Sequence, residues 1–150
     1  MKISKDKNNL NIIDIYPCHI KTNQSIPFWE SLIPAGWPSS AENYLDKSLD
    51  LNEYLIKHPS ATYFIKVIGN SMINAGINSG DILIVDRSLS VINKKIIVAR
   101  INNEFTIKRI LFKNNTVLLV ADNDEYKPIT ITEDMDFEVW GVVTTVIHHV

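Results

Sequence analysis

Beyond Pro59 the chain consists of short apolar, β-branched stretches separated by turn residues, and this pattern leaves few folds open. Asn102-Asn103 and Asn114-Asn115 join neighbouring stretches and have the chemistry of hairpin turns, because asparagine tolerates positive φ. Closely connected short strands predict a mostly β fold, a compact antiparallel β domain. The predicted strands cover residues 62–68, 82–86, 95–101, 104–112, 116–121, 129–131 and 137–148.

The residues before Pro59 have a different character. Residues 1 to about 45 show little periodicity, and the polar residues 1–9 have the composition of a disordered segment. Residues 11–16 alternate enough to form a strand that could pair along a sheet edge. Residues 48–58 predict one short helix that Pro59 ends. We therefore expect a flexible N-terminal tail and one short helix ahead of the β domain.

Composition fits a small single-domain protein without a membrane span. The 150 residues suit one domain, and 45% of them are hydrophobic. No apolar run approaches the ~20 residues of a membrane-spanning helix, and no apolar stretch before Asp14 resembles a secretory signal. The lone Cys18 suits a reducing compartment, so we expect a cytoplasmic protein.

Charge is divided unevenly along the chain. Residues 1–35 carry four lysines against three acidic residues, a net of +1. Residues 36–150 carry eleven lysines and arginines against fourteen acidic residues, a net of −3, which together give the total of −2. An acidic body offers no electrostatic footprint for DNA, so we expect little direct binding to nucleic acid.

Ser71 and Lys108 are candidates for a nucleophile and its base. A serine hydroxyl is a weak nucleophile until a base takes its proton, and a lysine amine can do so only when neutral. A free lysine has a pKa of ~10.4, so a lysine base near neutral pH must be buried, which penalises its charged form. Strand alternation places Lys108 on one face with Ile110 and Phe112, which supplies apolar surroundings.

Two further features could complete such a site. The sequence Gly69-Asn70-Ser71-Met72 has turn chemistry directly after a predicted strand. A bend there could aim the backbone N–H groups of Ser71 and Met72 at one point, as in an oxyanion hole. Ala35-Gly36 lies between prolines, and an extended Ala-Gly pair can approach a nucleophile closely because it carries little side chain. Each feature alone is more typical of a turn or a linker.

Taken together, Ala35-Gly36, Ser71 in its Gly-Asn-Ser-Met context and Lys108 resemble the LexA/UmuD family of self-cleaving serine–lysine proteins. The resemblance runs from about Ile33 to Val146 and is closest to the UmuD branch, subunits of the error-prone DNA polymerase V. The separations of 35 residues from Gly36 to Ser71 and 37 from Ser71 to Lys108 are those of the family. Further matching stretches are residues 50–53, 58–64, 79–86 and 137–143.

The resemblance implies specific roles. Ser71 would be the nucleophile, Lys108 the general base and Ala35-Gly36 the scissile bond. Residues 1–35 would be a tail removed by self-cleavage, and residues 36–150 a peptidase-like and dimerisation domain with a LexA/signal-peptidase-like β fold. The family also implies stimulation by the RecA filament on single-stranded DNA in the SOS response, a homodimer, and a UmuC-like Y-family polymerase as partner in translesion synthesis. It implies no cofactor and no metal.

Other interpretations remain open on the sequence. The tail is about ten residues longer than is usual in the UmuD branch, which bears on how it docks. A repressor-type member of the same family is one alternative, although 35 residues are too few for a helix-turn-helix domain. A non-enzymatic β interaction module is another, with Ser71 and Lys108 as turn and edge residues. His148-His149 fits a frayed polar end better than a metal site, because neighbours in a strand point opposite ways.

Overall fold

The computed structural model describes residues 10–22, 25–28 and 47–150. Within it the chain forms two units, one made of Met1–Cys18 with Ser60–Val150 and the other of His19–Pro59. The strands are numbered in chain order across both units.

The first unit is built on one antiparallel sheet. Its strands are β1 (Asn11–Pro17), β4 (Thr62–Ile68), β5 (Ile82–Asp86), β6 (Ile96–Ile101), β7 (Glu104–Lys113), β8 (Thr116–Val120), β9 (Ile129–Thr130) and β10 (Phe137–Ile147). Across the sheet the order is β1-β4-β5-β10-β6-β7-β8-β9, and every neighbouring pair is antiparallel. The prediction of a mostly β, antiparallel fold is confirmed.

The strand predictions agree with the structure to within one residue at each end. The two Asn-Asn turns are confirmed in detail: φ is 48° and 67° at Asn102 and Asn103, and 49° and 59° at Asn114 and Asn115. Positive φ at both central residues matches the right-handed twist of the flanking strands. These turns close the β6–β7 and β7–β8 hairpins and so fix the register of β7.

The sheet curls, and this places the end of β4 against β7. β1 contacts β7 although four strands lie between them in the sheet order. One buried cluster contains Leu10 and Ile12 at the start of β1, Val67 from β4 and Ile107 from β7. The residues that follow β4 therefore meet the middle of β7 in the core.

The second unit contains a strand pair and the helix. β2 (Ser25–Phe28) pairs antiparallel with β3 (Lys47–Asp50), and α1 (Leu51–Leu55) follows directly. Asp50 caps α1 by accepting hydrogen bonds from the N–H groups of Asn52 and Glu53. The short helix is thus present, but it is five residues long instead of covering 48–58: residues 48–50 pair with β2, and the extended backbone of Ile56 ends the helix at Leu55. Among the described residues, no helix is long and apolar enough to cross a membrane.

Candidate active site

Ser71 lies just beyond β4, where the backbone bends. Gly69 has a φ of 111°, a conformation that only glycine adopts readily, and this permits the bend. A short 3-10 turn, Ile73–Ala75, begins two residues after the serine. The Ser71 side chain is 0% exposed, so the bend turns the hydroxyl into the core.

Lys108 lies in the middle of β7 and is 2% exposed. Its Nζ donates to Thr106 Oγ1 at 3.0 Å and to the carbonyl oxygen of Ile107 at 3.2 Å. Thr106 precedes Lys108 by two residues and therefore shares its face of the strand, a partner that strand alternation could have indicated. Of the two apolar residues predicted on the same face, Ile110 is buried, whereas Phe112, near the strand end, is 45% exposed.

The fold brings the two side chains together. Lys108 Nζ lies 3.4 Å from Ser71 Oγ, although 37 positions separate the residues in the chain. Burial disfavours the charged form of an amine, and the oxygens of Ser71, Thr106 and Ile107 around Nζ belong to neutral groups. A neutral amine at this distance can accept the serine proton.

A further contact at Ser71 comes from the N-terminal tail. The backbone N–H of Leu10 donates to Ser71 Oγ at 3.0 Å. The Leu10 side chain is 0% exposed and packs in the same cluster as Met72. The alternation of residues 11–16 predicted β1, which begins directly after Leu10. Alternation does not indicate which residues contact the end of a strand. Sequence reasoning therefore missed Leu10.

A loop after β8 fixes Asn70, the residue before Ser71. Tyr126 donates its hydroxyl proton to Asn70 Oδ1 at 2.8 Å, and Asn123 Nδ2 donates to the Asn70 carbonyl oxygen at 3.0 Å. The Asn74 N–H donates to the Asp122 carbonyl oxygen at 2.9 Å. Residues 121–126, here the clamp loop, thus hold the chain on both sides of Ser71. The side chains of this loop gave no sequence signal of these contacts.

Arg109 attaches the clamp loop to β7. Its Nε lies 3.0 Å from both carboxylate oxygens of Asp122, and its Nη2 donates to the same carboxylate. Its Nη1 donates to the Lys94 carbonyl oxygen at 2.6 Å. The hydrogen bond to Asp122 raises the pKa of Arg109 above its ordinary value; desolvation opposes this and the carboxylate charge adds to it.

Two parts of the predicted site stay predictions. The Ala35–Gly36 bond lies outside the described residues. The oxyanion role of the backbone N–H groups of Ser71 and Met72 likewise stays a prediction.

Asp81 and His148 form a contact outside the serine–lysine pair. Asp81 accepts a hydrogen bond from the Asn78 N–H at 2.7 Å. Its other carboxylate oxygen lies 2.6 Å from Nδ1 of His148, just after β10. Within residues 10–22, 25–28 and 47–150, no three histidine, cysteine or acidic side chains are grouped to hold a metal ion.

The fold and the site define an antiparallel β protein with a serine–lysine pair buried in its core. The chain belongs to the Peptidase S24-like family, whose model matches residues 27–144. Protein MucA of Salmonella typhimurium is 45% identical over 120 residues, which cover 80% of this chain and 82% of MucA. Protein SamA of Salmonella typhimurium strain LT2 is 39% identical over 122 residues, which cover 81% of this chain and 84% of SamA. The LexA repressor of Hahella chejuensis is 37% identical over 129 residues, covering 84% of this chain and 64% of the repressor. The family resemblance drawn from the motifs is therefore confirmed.

Proposed function

We propose that this chain is a serine–lysine peptidase that cuts its own N-terminal tail between Ala35 and Gly36. The observation that carries the proposal is the 3.4 Å distance between Lys108 Nζ and Ser71 Oγ. Both side chains are buried, where a lysine is most easily neutral. Membership of a peptidase-like family supports the same reaction.

The reaction needs only groups of the chain and water. Neutral Lys108 takes the hydroxyl proton of Ser71 while Oγ attacks the carbonyl carbon of Ala35. The carbonyl electron pair moves to its oxygen, which the N–H groups of Ser71 and Met72 stabilise. Collapse expels the Gly36 amine, Lys108 returns the proton to it, and Ala35 remains as an ester on Ser71. Water then hydrolyses the ester, with Lys108 again as the base.

Tethering explains how a small site can act on one bond. A flexible linker holds its end at an effective concentration of roughly mM, so recognition need not be elaborate. Docking of the scissile segment can then limit the rate. A partner that favours the docked state accelerates cleavage without supplying a catalytic group. In this proposal the RecA filament on single-stranded DNA is that partner.

The relatives support a biological role for this reaction. Similarity to MucA and SamA supports an accessory subunit of translesion synthesis in the SOS response. The shortened chain, residues 36–150, would act in the cytoplasm as a homodimer with a UmuC-like Y-family polymerase. The match to a LexA repressor favours a second candidate, a repressor-type protein that cleavage inactivates. Complementation of a polymerase-subunit deletion by residues 36–150 separates the two.

The test is intact mass over time at pH 9–10, where more lysine is neutral. The parent is expected to lose residues 1–35, while Ser71→Ala and Lys108→Ala stay whole. A RecA filament is then expected to speed cleavage of the parent at neutral pH. A parent that stays whole under both conditions, or a Ser71→Ala protein that is cut equally fast, would leave the non-enzymatic interaction module as the better account.

A further inference from the structure

The tail carries a segment that binds beside the catalytic pair. Leu10–Pro17, here the tail segment, lies along the side of β4 that faces away from β5. The pairing runs from Asn11 opposite Ile68 to Pro17 opposite Tyr63. The same unit of the fold holds the segment and Ser60–Val150, although the proposed cleavage would separate them covalently. The edge of β4 and the core surface beside it therefore form a strand-binding groove.

Side-chain burial shows where the groove is selective. Leu10 is 0% exposed and Ile12 is 3% exposed, and both join the cluster that contains Met72 and Ile107. Tyr16, by contrast, is 55% exposed. Burying one aliphatic side chain contributes about 1.5–3 kcal/mol, so the end of the groove nearest the serine supplies most of the specificity.

That same end cannot hold the tail segment and a scissile bond together. A reacting carbonyl carbon must come within about 3–3.5 Å of the nucleophile. The Leu10 nitrogen already lies 3.0 Å from Ser71 Oγ and donates a hydrogen bond to it. With Leu10 in place, Ser71 and Lys108 are 0% and 2% exposed, so the pair is closed to any other peptide.

We propose that the groove is a binding site for an extended peptide with aliphatic side chains two residues apart. In the resting protein it takes Leu10 and Ile12 of the tail segment. The second part of the proposal rests on self-cleavage: the Leu10 end must withdraw before Ala35–Gly36 reaches Ser71. Cys18 and Ala35 are seventeen positions apart, and a fully extended chain of that length spans at most about 60 Å, so the chain length allows this exchange.

The first test measures binding and needs no catalysis. A fluorescent peptide of residues 8–20 is titrated at pH 7 against full-length parent, Leu10→Asp and the matched surface variant Tyr16→Asp. The buried charge should expel the chain's own segment, so Leu10→Asp is expected to bind the peptide at least tenfold more tightly than the other two. A peptide that itself carries Leu10→Asp is expected to bind at least tenfold more weakly. Equal binding to all three proteins overturns the groove.

The second test holds the segment in place without disturbing the core. Asp14 and Lys66 are exposed and directly opposite in the β1–β4 pair, where Cα atoms lie about 4.5–5.5 Å apart, within disulfide reach. In a Cys18→Ser background, Asp14→Cys with Lys66→Cys is expected to cleave itself at least tenfold more slowly when oxidised, and reductant should restore the rate. Leu10→Asp should cleave severalfold faster than the parent, and Ile92→Asp, at an exposed residue outside the groove, within twofold of it.

The outcomes separate the two proposals. An oxidised protein that cleaves as fast as its reduced form shows that the segment need not withdraw and overturns the exchange. If the peptide binds Leu10→Asp but neither the parent nor any reduced variant cleaves itself, the peptide-binding groove is supported and the proposed self-cleavage is overturned. Slower cleavage of a folded Leu10→Asp protein would show that the docked segment assists the reaction, which also overturns the exchange.

Discussion

Two consecutive cations on β7 have opposite surroundings. Lys108 is 2% exposed and donates to the neutral oxygens of Ser71, Thr106 and Ile107. The Arg109 side chain is 31% exposed and pairs with the carboxylate of Asp122. Alternation along a strand sends the two side chains to opposite faces. One face therefore suits a cation that can lose its proton, and the other holds a cation that keeps it.

The two faces are nevertheless linked through the clamp loop. Arg109 holds Asp122 at the start of the loop, and Tyr126 at its end holds Asn70. Asn70 directly precedes Ser71. The outer cation can therefore support the geometry of the inner pair without touching it, and it acts as a positioning residue in the proposed reaction.

The largest difference in self-cleavage rate is expected between Lys108→Met and Arg109→Met. Lys108→Met removes the proposed base and should lower the self-cleavage rate about 10²–10⁴-fold. Because methionine is apolar and of similar length, the free energy of unfolding should stay nearly unchanged or rise. Arg109→Met should lower the free energy of unfolding by about 1 kcal/mol and the rate less than about tenfold. Intact mass over time and urea unfolding measure both. Equal losses of rate would contradict separate roles.

The pH dependence distinguishes the same two cations. Cleavage should rise about tenfold per pH unit while neutral lysine is the minor form of Lys108. The pKa of Arg109 is raised in the folded protein, so this residue stabilises the fold fully at any pH below its pKa in the unfolded chain. That stabilisation is lost only as pH rises through the pKa of Arg109 in the folded protein, which lies above the assay range. Rate profiles from pH 6 to pH 10 should therefore be parallel for the parent and Arg109→Met. A parent cleavage rate that falls as pH rises through this range would exclude Lys108 as the base.

A smaller effect is expected from Tyr126→Phe, which deletes one hydroxyl. The lost hydrogen bond to Asn70 Oδ1, 2.8 Å long, should lower the free energy of unfolding by about 0.5–1.5 kcal/mol. Looser placement of the serine turn should lower the cleavage rate severalfold. The double variant with Arg109→Met should lose less than the product of the single losses, because both act through the clamp loop. Multiplicative losses would show that the two residues act independently.

Most of the sheet could be predicted because its information is local. Asparagine pairs with positive φ define two hairpins, and alternation of apolar residues defines the strands between them. The helix was predicted too long because that prediction also used only local information. Residues 48–50 have helical spacing, but their backbone groups pair with β2, a partner more than twenty residues earlier that local propensity cannot reveal.

The site was predictable only in part. Ser71 and Lys108 could be singled out because few residue types can serve as a nucleophile or a base, and the structure places the two side chains in contact. Leu10 and the clamp loop were missed, since their contacts with Ser71 and Asn70 depend on how the sheet curls. Residues that act through backbone groups, as Leu10 does, leave no trace in side-chain chemistry.

The smallest effect is expected from Asn115→Ala, which tests whether a loss of stability far from the site is enough to slow cleavage. Asn115 has a φ of 59° in the β7–β8 turn, and alanine tolerates this conformation less well than asparagine. Asn115→Ala should lower the free energy of unfolding by about 0.5–1 kcal/mol, a Tm decrease of about 1–4 °C, while Asn115→Gly should change it less. Neither should alter the cleavage rate, because this turn contacts neither Ser71 nor the clamp loop in the hydrogen bonds described. If Asn115→Ala slowed cleavage as much as Tyr126→Phe does, the rate loss in Tyr126→Phe would reflect stability alone, and the positioning role of the clamp loop would be lost.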